Sequence, residues 1–295
     1  MWMNVTSSVT VGTGVELVEA VNAAPVNERH TIAISKDIVL EKTLEIPEGK
    51  DILMIWYGSR DFYLIGANGM DTIIVKSGGM LTLAGTLVVT HAEGDSGRGV
   101  YVERDGEFNI SGAIISGNSA DRGGGVYNEG TFNLMGDSDR GGLVGNNTAN
   151  LGGGVYNEGT FSMSWGKVEY NNATDSETSV GMGGGVYNKG TLISNSNSYT
   201  WGDTICFNVA TLGGGVYNTG TIEMSGGQIS GNTALSGEGN NVFNEEVVSG
   251  RGQFYLLVII GVVAVVAVFG GLFFYFLKMR KRFVVKSLGG SNEGI

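Results

Sequence analysis

Through most of the chain, apolar and polar residues alternate in short runs of three to five positions, and these runs recur with a spacing far longer than any single element. Aligned on Val-Tyr-Asn and its close variants, the leading valines are Val100, Val126, Val155, Val186, Val216 and Val242, separated by 26, 29, 31, 30 and 26 residues. Each full unit has one order: GGGVYN, a variable residue, GT, an apolar-x-apolar pair, then a polar stretch with one apolar residue and a turn rich in Asn and Gly. Alternation with a period of two predicts three short strands per unit. The first strand buries Val126 and Asn128 on one face and turns Tyr127 to the other. The second buries Phe132 and Leu134, Phe161 and Met163, Leu192, then Ile222 and Met224. The third contributes Ile115, Val144, Val168, Ile205 and Ile229. No helical period of useful length interrupts this region, which excludes alternating strands and helices.

A single coil of this kind cannot enclose its own apolar face, so the units are expected to stack into one continuous core. At about 4.8 Å per coil, roughly eight coils make a rod on the order of 40 Å long. The predicted fold is all-β, a right-handed parallel β-helix solenoid with a short N-terminal capping helix and one C-terminal transmembrane helix. The chain divides into 1–30 (strand and capping helix), 31–96 (degenerate coils), 97–250 (regular repeats), 254–277 (membrane helix) and 278–295 (basic tail). The column Asn128, Asn157, Asn188, Asn218 and Asn244 suits a corner ladder of side-chain amides. Glycine, 51 of 295 residues against only 2 prolines, supplies the sharp corners.

The GGGVYN units from about Gly97 to Asn244 resemble the repeats of β-helical surface proteins and adhesins of the pectin-lyase-like class, including the polymorphic outer-membrane-protein type. The resemblance implies the solenoid and a role in attachment. It also implies an alternative, a polysaccharide lyase or hydrolase, because enzymes of this class place several Asp residues, often with Arg, Lys or His, on neighbouring coils of one face. The chain lacks a Leu-Pro-x-Thr-Gly sorting motif and a terminal run of barrel-like strands, and so departs from cell-wall-anchored and autotransported relatives of that fold.

Before the repeats, Val15 to Ala24 places Leu17, Val18, Val21 and Ala24 on one face of a helix stopped by Pro25. Gly12-Thr13-Gly14, with Asp37 downstream, has half the form of a dinucleotide fingerprint. Leu17 stands where its third glycine belongs, so a capping turn is the expectation. After the repeats, Phe254 to Leu277 is 24 residues without a charge, about 36 Å as a helix. Lys278, Arg280, Lys281 and Arg282 follow at once, which predicts a single-pass plasma-membrane protein with its tail in the cytoplasm and its solenoid outside. MWMNVTSSVT has neither the basic nor the apolar region of a secretion signal, and the expectation is a truncated or misassigned start, the alternative being insertion directed by the C-terminal helix itself.

Charge agrees with that topology. Residues 1–253 hold 28 acidic and 13 basic side chains, a net of −15, whereas the remainder is basic by a net of +4. An acidic exterior repels phosphate backbones, so nucleic acid is not expected as a partner. No nucleophile elbow, zinc spacing or pair of catalytic carboxylates occurs, and the two histidines are His30 and His91. Catalysis is therefore not expected. The densest acidic group, Glu93, Asp95, Glu103 and Asp105, offers oxygen ligands to a hard cation such as Ca²⁺. The outward column Tyr127, Tyr156, Tyr187 and Tyr217 is the candidate contact face for a surface glycan or a protein ligand, or else a self-stacked stiffener. Cys206, between Ile205 and Phe207, is expected in the core. Sequons mark Asn4, Asn109, Asn146 and Asn172 as glycosylation candidates.

Overall fold

The computed structural model describes residues 8–56, 60–136, 141–177, 179–195, 203–245, 255–259 and 262–266. Residues up to Glu245 form one compact unit and those after it another.

The first unit is a parallel β-solenoid. Three sheets of nine, eight and eight strands run along it, and every neighbouring pair in them is parallel. A single face alternating at a period of two would be half-exposed in an isolated coil, and stacking removes that exposure. Val100, Val126, Val155, Val186 and Val216 pair in register and are wholly buried. Phe108, Phe132 and Phe161 form an interior stack with ring centroids 5.3 and 4.8 Å apart. Ile115, Val144, Val168 and Ile205 complete the third wall, with Cys206 buried beside it. The strands before Gly97 join the same sheets, so Asp51–Trp56 pairs with Met80–Gly85 and Leu44–Ile46 with Ile73–Val75.

Two features differ from the expected coil. A fourth sheet of two-residue strands, Thr148–Ala149, Asn172–Ala173, Val209–Ala210 and Thr233–Ala234, adds a further wall to the regular coils. In the last strand of the nine-stranded sheet Met224 is 40% exposed, not buried, because no further strand of that sheet follows to cover it.

The triple glycine has a steric reason. Gly152 adopts a left-handed φ of 64°, and a Cβ there would lie 2.3 Å from the carbonyl oxygen of Val155. Beside it a Cβ on Gly153 would lie 2.5 Å from the Asn172 carbonyl of the next coil. The chain crosses from one wall to another here with backbones too close for side chains.

The expected corner ladder forms. Each Nδ2 donates to the next coil's Oδ1: Asn128 to Asn157 at 2.8 Å, Asn157 to Asn188 at 2.8 Å, Asn188 to Asn218 at 2.7 Å and Asn218 to Asn244 at 2.9 Å. A second ladder stands at another corner, from Asn118 through Asn147, Asn171 and Asn208 to Asn232, with steps of 2.9–3.1 Å. His91 begins it, its Nδ1 2.8 Å from Asn118 Oδ1 and its Nε2 2.9 Å from the Met70 carbonyl. Amides stacked at the coil spacing satisfy buried polar groups from one coil to the next, which lets Asn enter the interior.

Near the N-terminus a helix spans Gly14–Ala23 and buries Leu17, Ala20 and Val21 in the core. Thr13 and Glu16 form a reciprocal capping box. Glu16 also accepts from Gly12 N–H at 2.7 Å, so its own carboxylate occupies the helix N-terminus. Asp37 accepts from Arg60 and from Tyr63 N–H. The Gly12-Thr13-Gly14 turn is thus a cap.

In the second unit, Tyr255–Ile259 pairs antiparallel with Val262–Val266. The expected membrane helix over 254–277 is not seen in these strands, and its other residues lie outside those described. Among the described residues no helix is long and apolar enough to cross a membrane. An apolar run rich in Val and Ile with Gly261 at its centre has strand propensity, and its length alone argued for a helix.

Candidate functional site

Stacking brings a set of polar side chains together that no stretch of sequence holds. Asp71, Arg98, Asp121 with Arg122, and Asn150 come from successive coils and line a groove of roughly 600 Å³ with Gly69, Ser96, Ser119 and Ala120. Arg98 Nε donates to Asp71 Oδ1 at 2.8 Å, and both side chains are largely covered. Asn150 Nδ2 donates to Asp121 Oδ1 at 2.7 Å. Arg122 is held more loosely, 3.8 Å from Asp121, and half of its side chain is exposed. Arg122 occupies a column continued by Leu151, Met182 and Leu212, so the site lies midway along the solenoid, where that column turns from apolar to cationic.

Beside the groove runs the aromatic column, and it is longer than expected. Tyr101, Tyr127, Tyr156, Tyr187, Tyr217 and Phe243 stack with centroids 5.0–5.1 Å apart. Coil spacing and ring-stacking distance nearly coincide, so within the column the rings meet one another, tilted by 41° between Tyr127 and Tyr156. Tyr156 is 2% exposed and Tyr217 5%, while Tyr127 and Tyr187 are half-buried. The outward faces expected for a ligand are thereby used within the protein. Arg98 lies over the Tyr101 and Tyr127 rings at 5.0 and 5.2 Å, and Arg122 over Tyr156 at 5.5 Å, which joins column to groove.

Phenol hydroxyls along the column donate to carboxylates at the variable position after Val-Tyr-Asn. Tyr101 donates to Glu129 at 3.0 Å, Tyr156 to Glu158 at 3.3 Å and Tyr217 to Glu245 at 3.0 Å. Burial, with the neighbouring carboxylates, holds the phenols in their neutral form and pushes Tyr127 up to about 12. Tyr101 and Tyr217 are raised for the same first reason, with the Glu129 and Glu245 hydrogen bonds next. A 2.7 Å hydrogen bond from Lys189 holds Glu158 below the usual carboxylate range.

The acidic quartet does not converge. Glu93 and Asp95 lie on the corner before the strand Val100–Val102, and Glu103 and Asp105 on the corner after it. Glu103 is taken by Lys76 at 3.0 Å and by Ser77 N–H. Asp105 is exposed at a left-handed φ of 63°, the conformation of a tight corner. Among the described residues no group of three or more His, Cys, Asp or Glu could hold a metal ion. Of the sequons, Asn109 is buried, donating to Glu107 and accepting from Asn133. Asn146 and Asn172 are exposed, and Asn4 lies outside the described residues.

No family model, curated protein or solved structure matches the chain. The site rests on its geometry alone. The groove was not legible in the sequence because its residues are spread over four coils, in turns of differing length. A signal was present in the residue before each glycine run, Arg in Arg98 and Arg122 but Leu or Met in Leu151, Met182 and Leu212.

Proposed function

We propose that the chain is a membrane-anchored, adhesin-like surface protein whose solenoid stands outside the cell and binds a glycan or protein ligand in the Asp71–Asn150 groove. The observation that carries this reading is the groove itself. Four coils supply two guanidinium groups, two carboxylates, an amide and two hydroxyls on one open face. Planar polar groups of this kind donate and accept in pairs, which suits hydroxyl-rich or acidic ligands. The stacked tyrosines serve as the stiff wall that holds the arginines over their rings. Anchoring is supported by the uncharged run 254–277 followed by four basic residues. The helix Gly14–Ala23 is assigned as the cap that shields the first coils from strand addition.

Beads coated with the protein and challenged with host or neighbouring cells test the groove. Arg122→Ala combined with Asn150→Ala should reduce attachment at least about tenfold, the loss of roughly 1.4 kcal/mol. A folded double variant that attaches unchanged discards the groove as the contact face. Protease added to intact cells should remove the solenoid and spare an epitope placed after Ile295, and the reverse pattern refutes the orientation.

One observation favours a second reading. Asp71 and Asp121 stand with two arginines on neighbouring coils of one face, the arrangement that polysaccharide-cleaving enzymes of the resembled class employ. Cleavage of polygalacturonate or a related glycan, lost in Asp121→Asn, would replace binding by catalysis.

A further inference from the structure

One corner of the coil has a backbone demand that side chains seldom meet. The residue preceding each member of the second asparagine ladder is left-handed: Gly117 at φ 72°, Asn146 at 55°, Tyr170 at 56°, Phe207 at 55° and Gly231 at 67°. Glycine and asparagine accept this conformation readily, whereas for a bulky aromatic it is strained. Yet Tyr170 and Phe207 hold it, and they are 56% and 53% exposed. Their rings stack with centroids 5.2 Å apart and planes inclined by 14°. Fold stability explains neither residue, since strain and exposure both work against it and glycine serves the same corner elsewhere.

The ring pair has one face closed and one open. Phe207 covers Tyr170 from the following coil and lies against Gly231, where a Cβ would meet the Phe207 ring at 3.3 Å. Because the rings are nearly parallel and one coil apart, the other face of Tyr170 looks back toward the preceding coil. The residue at that column position is Asn146, whose N–H donates to the Glu169 carbonyl at 3.3 Å and whose strand pairs Gly145 with Glu169. Asn146 is exposed and begins the sequon Asn146-Asn147-Thr148. By contrast Asn172, also exposed, has Thr148 and Val209, neither of them aromatic, as its column neighbours.

We propose that Asn146 is an N-glycosylation site whose first sugar seats on the open face of Tyr170. This rests on display of the solenoid outside the cytoplasm. In the transfer, the side-chain nitrogen of Asn146 bonds to the anomeric carbon of a glycan carried on a polyprenyl diphosphate. The bond from that carbon to the diphosphate oxygen breaks, the electron pair leaves with the polyprenyl diphosphate, and the amide proton passes to a base of the transferase. Nothing is oxidised or reduced. A pyranose ring held one coil spacing from an aromatic face stacks on it, and the strained Tyr170 corner thereby gains a partner.

The full chain is directed into the secretory pathway of a eukaryotic cell by a cleavable leader, then site-mapped and melted before and after enzymatic removal of N-glycans. A glycan at Asn146 is expected, absent in Asn146→Gln. Its removal should lower Tm by about 2–4 °C, the shift that one stacking contact gives in a chain of this size. In Tyr170→Ser, which keeps the sequon, the glycan should remain and its removal leave Tm unchanged. A folded, secreted chain with Asn146 unmodified overturns the proposal, as does a Tyr170→Ser variant that keeps the full shift. The leader fixes the compartment. A chain without glycans in its own cell, beside a leader-directed chain modified at Asn146, counts against surface display and supports Asn146 as an acceptor.

Discussion

At the residue scale, the tyrosines show how one side chain serves both packing and charge. Each ring closes its neighbours' faces, and each paired hydroxyl turns a carboxylate into a hydrogen-bond acceptor beside a buried phenol. Ionising such a phenol places two negative charges side by side away from water, so the folded state binds the proton more tightly than the unfolded chain. Folded values raised above the ordinary 10 mean that the stability these phenols contribute is fully present below pH 10 and lost as pH rises towards 12 and beyond. Absorbance titration should show the ladder tyrosines ionising only as the chain unfolds. Replacing Tyr127, Tyr156, Tyr187 and Tyr217 by Phe should move the alkaline transition upward. An unmoved transition would assign alkaline unfolding to other groups.

At the scale of the element, a coil is held by its valine, its phenylalanine or leucine, and its two asparagines. The apolar part was legible because burial follows the period of two, as at Val155, Phe161 and Val168. The Val-Tyr-Asn ladder was legible because its asparagine repeats within a fixed tripeptide. The second ladder was not, because Asn118, Asn147, Asn171, Asn208 and Asn232 sit in turns with different neighbours and share only the left-handed residue before them. Asn157→Ala removes donors to Asn188, Gly159 and Thr191 and the acceptor of Asn128 at a fully buried position. It should cost about 2–3 kcal/mol in urea unfolding, since the partners it leaves remain buried. Asn150→Ala loses one bond at a solvent-facing corner and should cost under about 0.5 kcal/mol. Equal losses would show that the ladder carries no special weight.

For the whole molecule, the solenoid accounts for the first unit, and the described residues of the second form an antiparallel strand pair. Tyr255–Ile259 and Val262–Val266 pair as strands, while the uncharged run 254–277 is long enough to span a hydrocarbon core of roughly 30 Å as a helix. In lipid, backbone groups must be satisfied within the segment, which favours a helix over a two-stranded pair with open edges. Added to lipid vesicles, the full chain should therefore gain far-UV helical ellipticity equivalent to about 24 residues, a helix of membrane-spanning length. A spectrum unchanged by vesicles would keep the strand pair and remove membrane anchoring from the proposed function.

The amino-acid sequence by itself determined the repeat, the three principal walls and the residues that fill them, because the period, the strand alternation and the glycine corners are local and cannot be satisfied except by stacking. It also marked the helix before Pro25 through its apolar stripe. Only the tertiary structure decided which polar residues meet. Asp71 finds Arg98, and Asp121 finds Asn150, because corner lengths and coil register bring them level. The same register separates Glu93 and Asp95 from Glu103 and Asp105, closes the tyrosine faces on one another, buries Asn109 and leaves Asn146 exposed beside Tyr170. Distance along the axis of a solenoid is set by stacking and not by separation along the chain, so its interior can be read from one unit and its surface sites cannot.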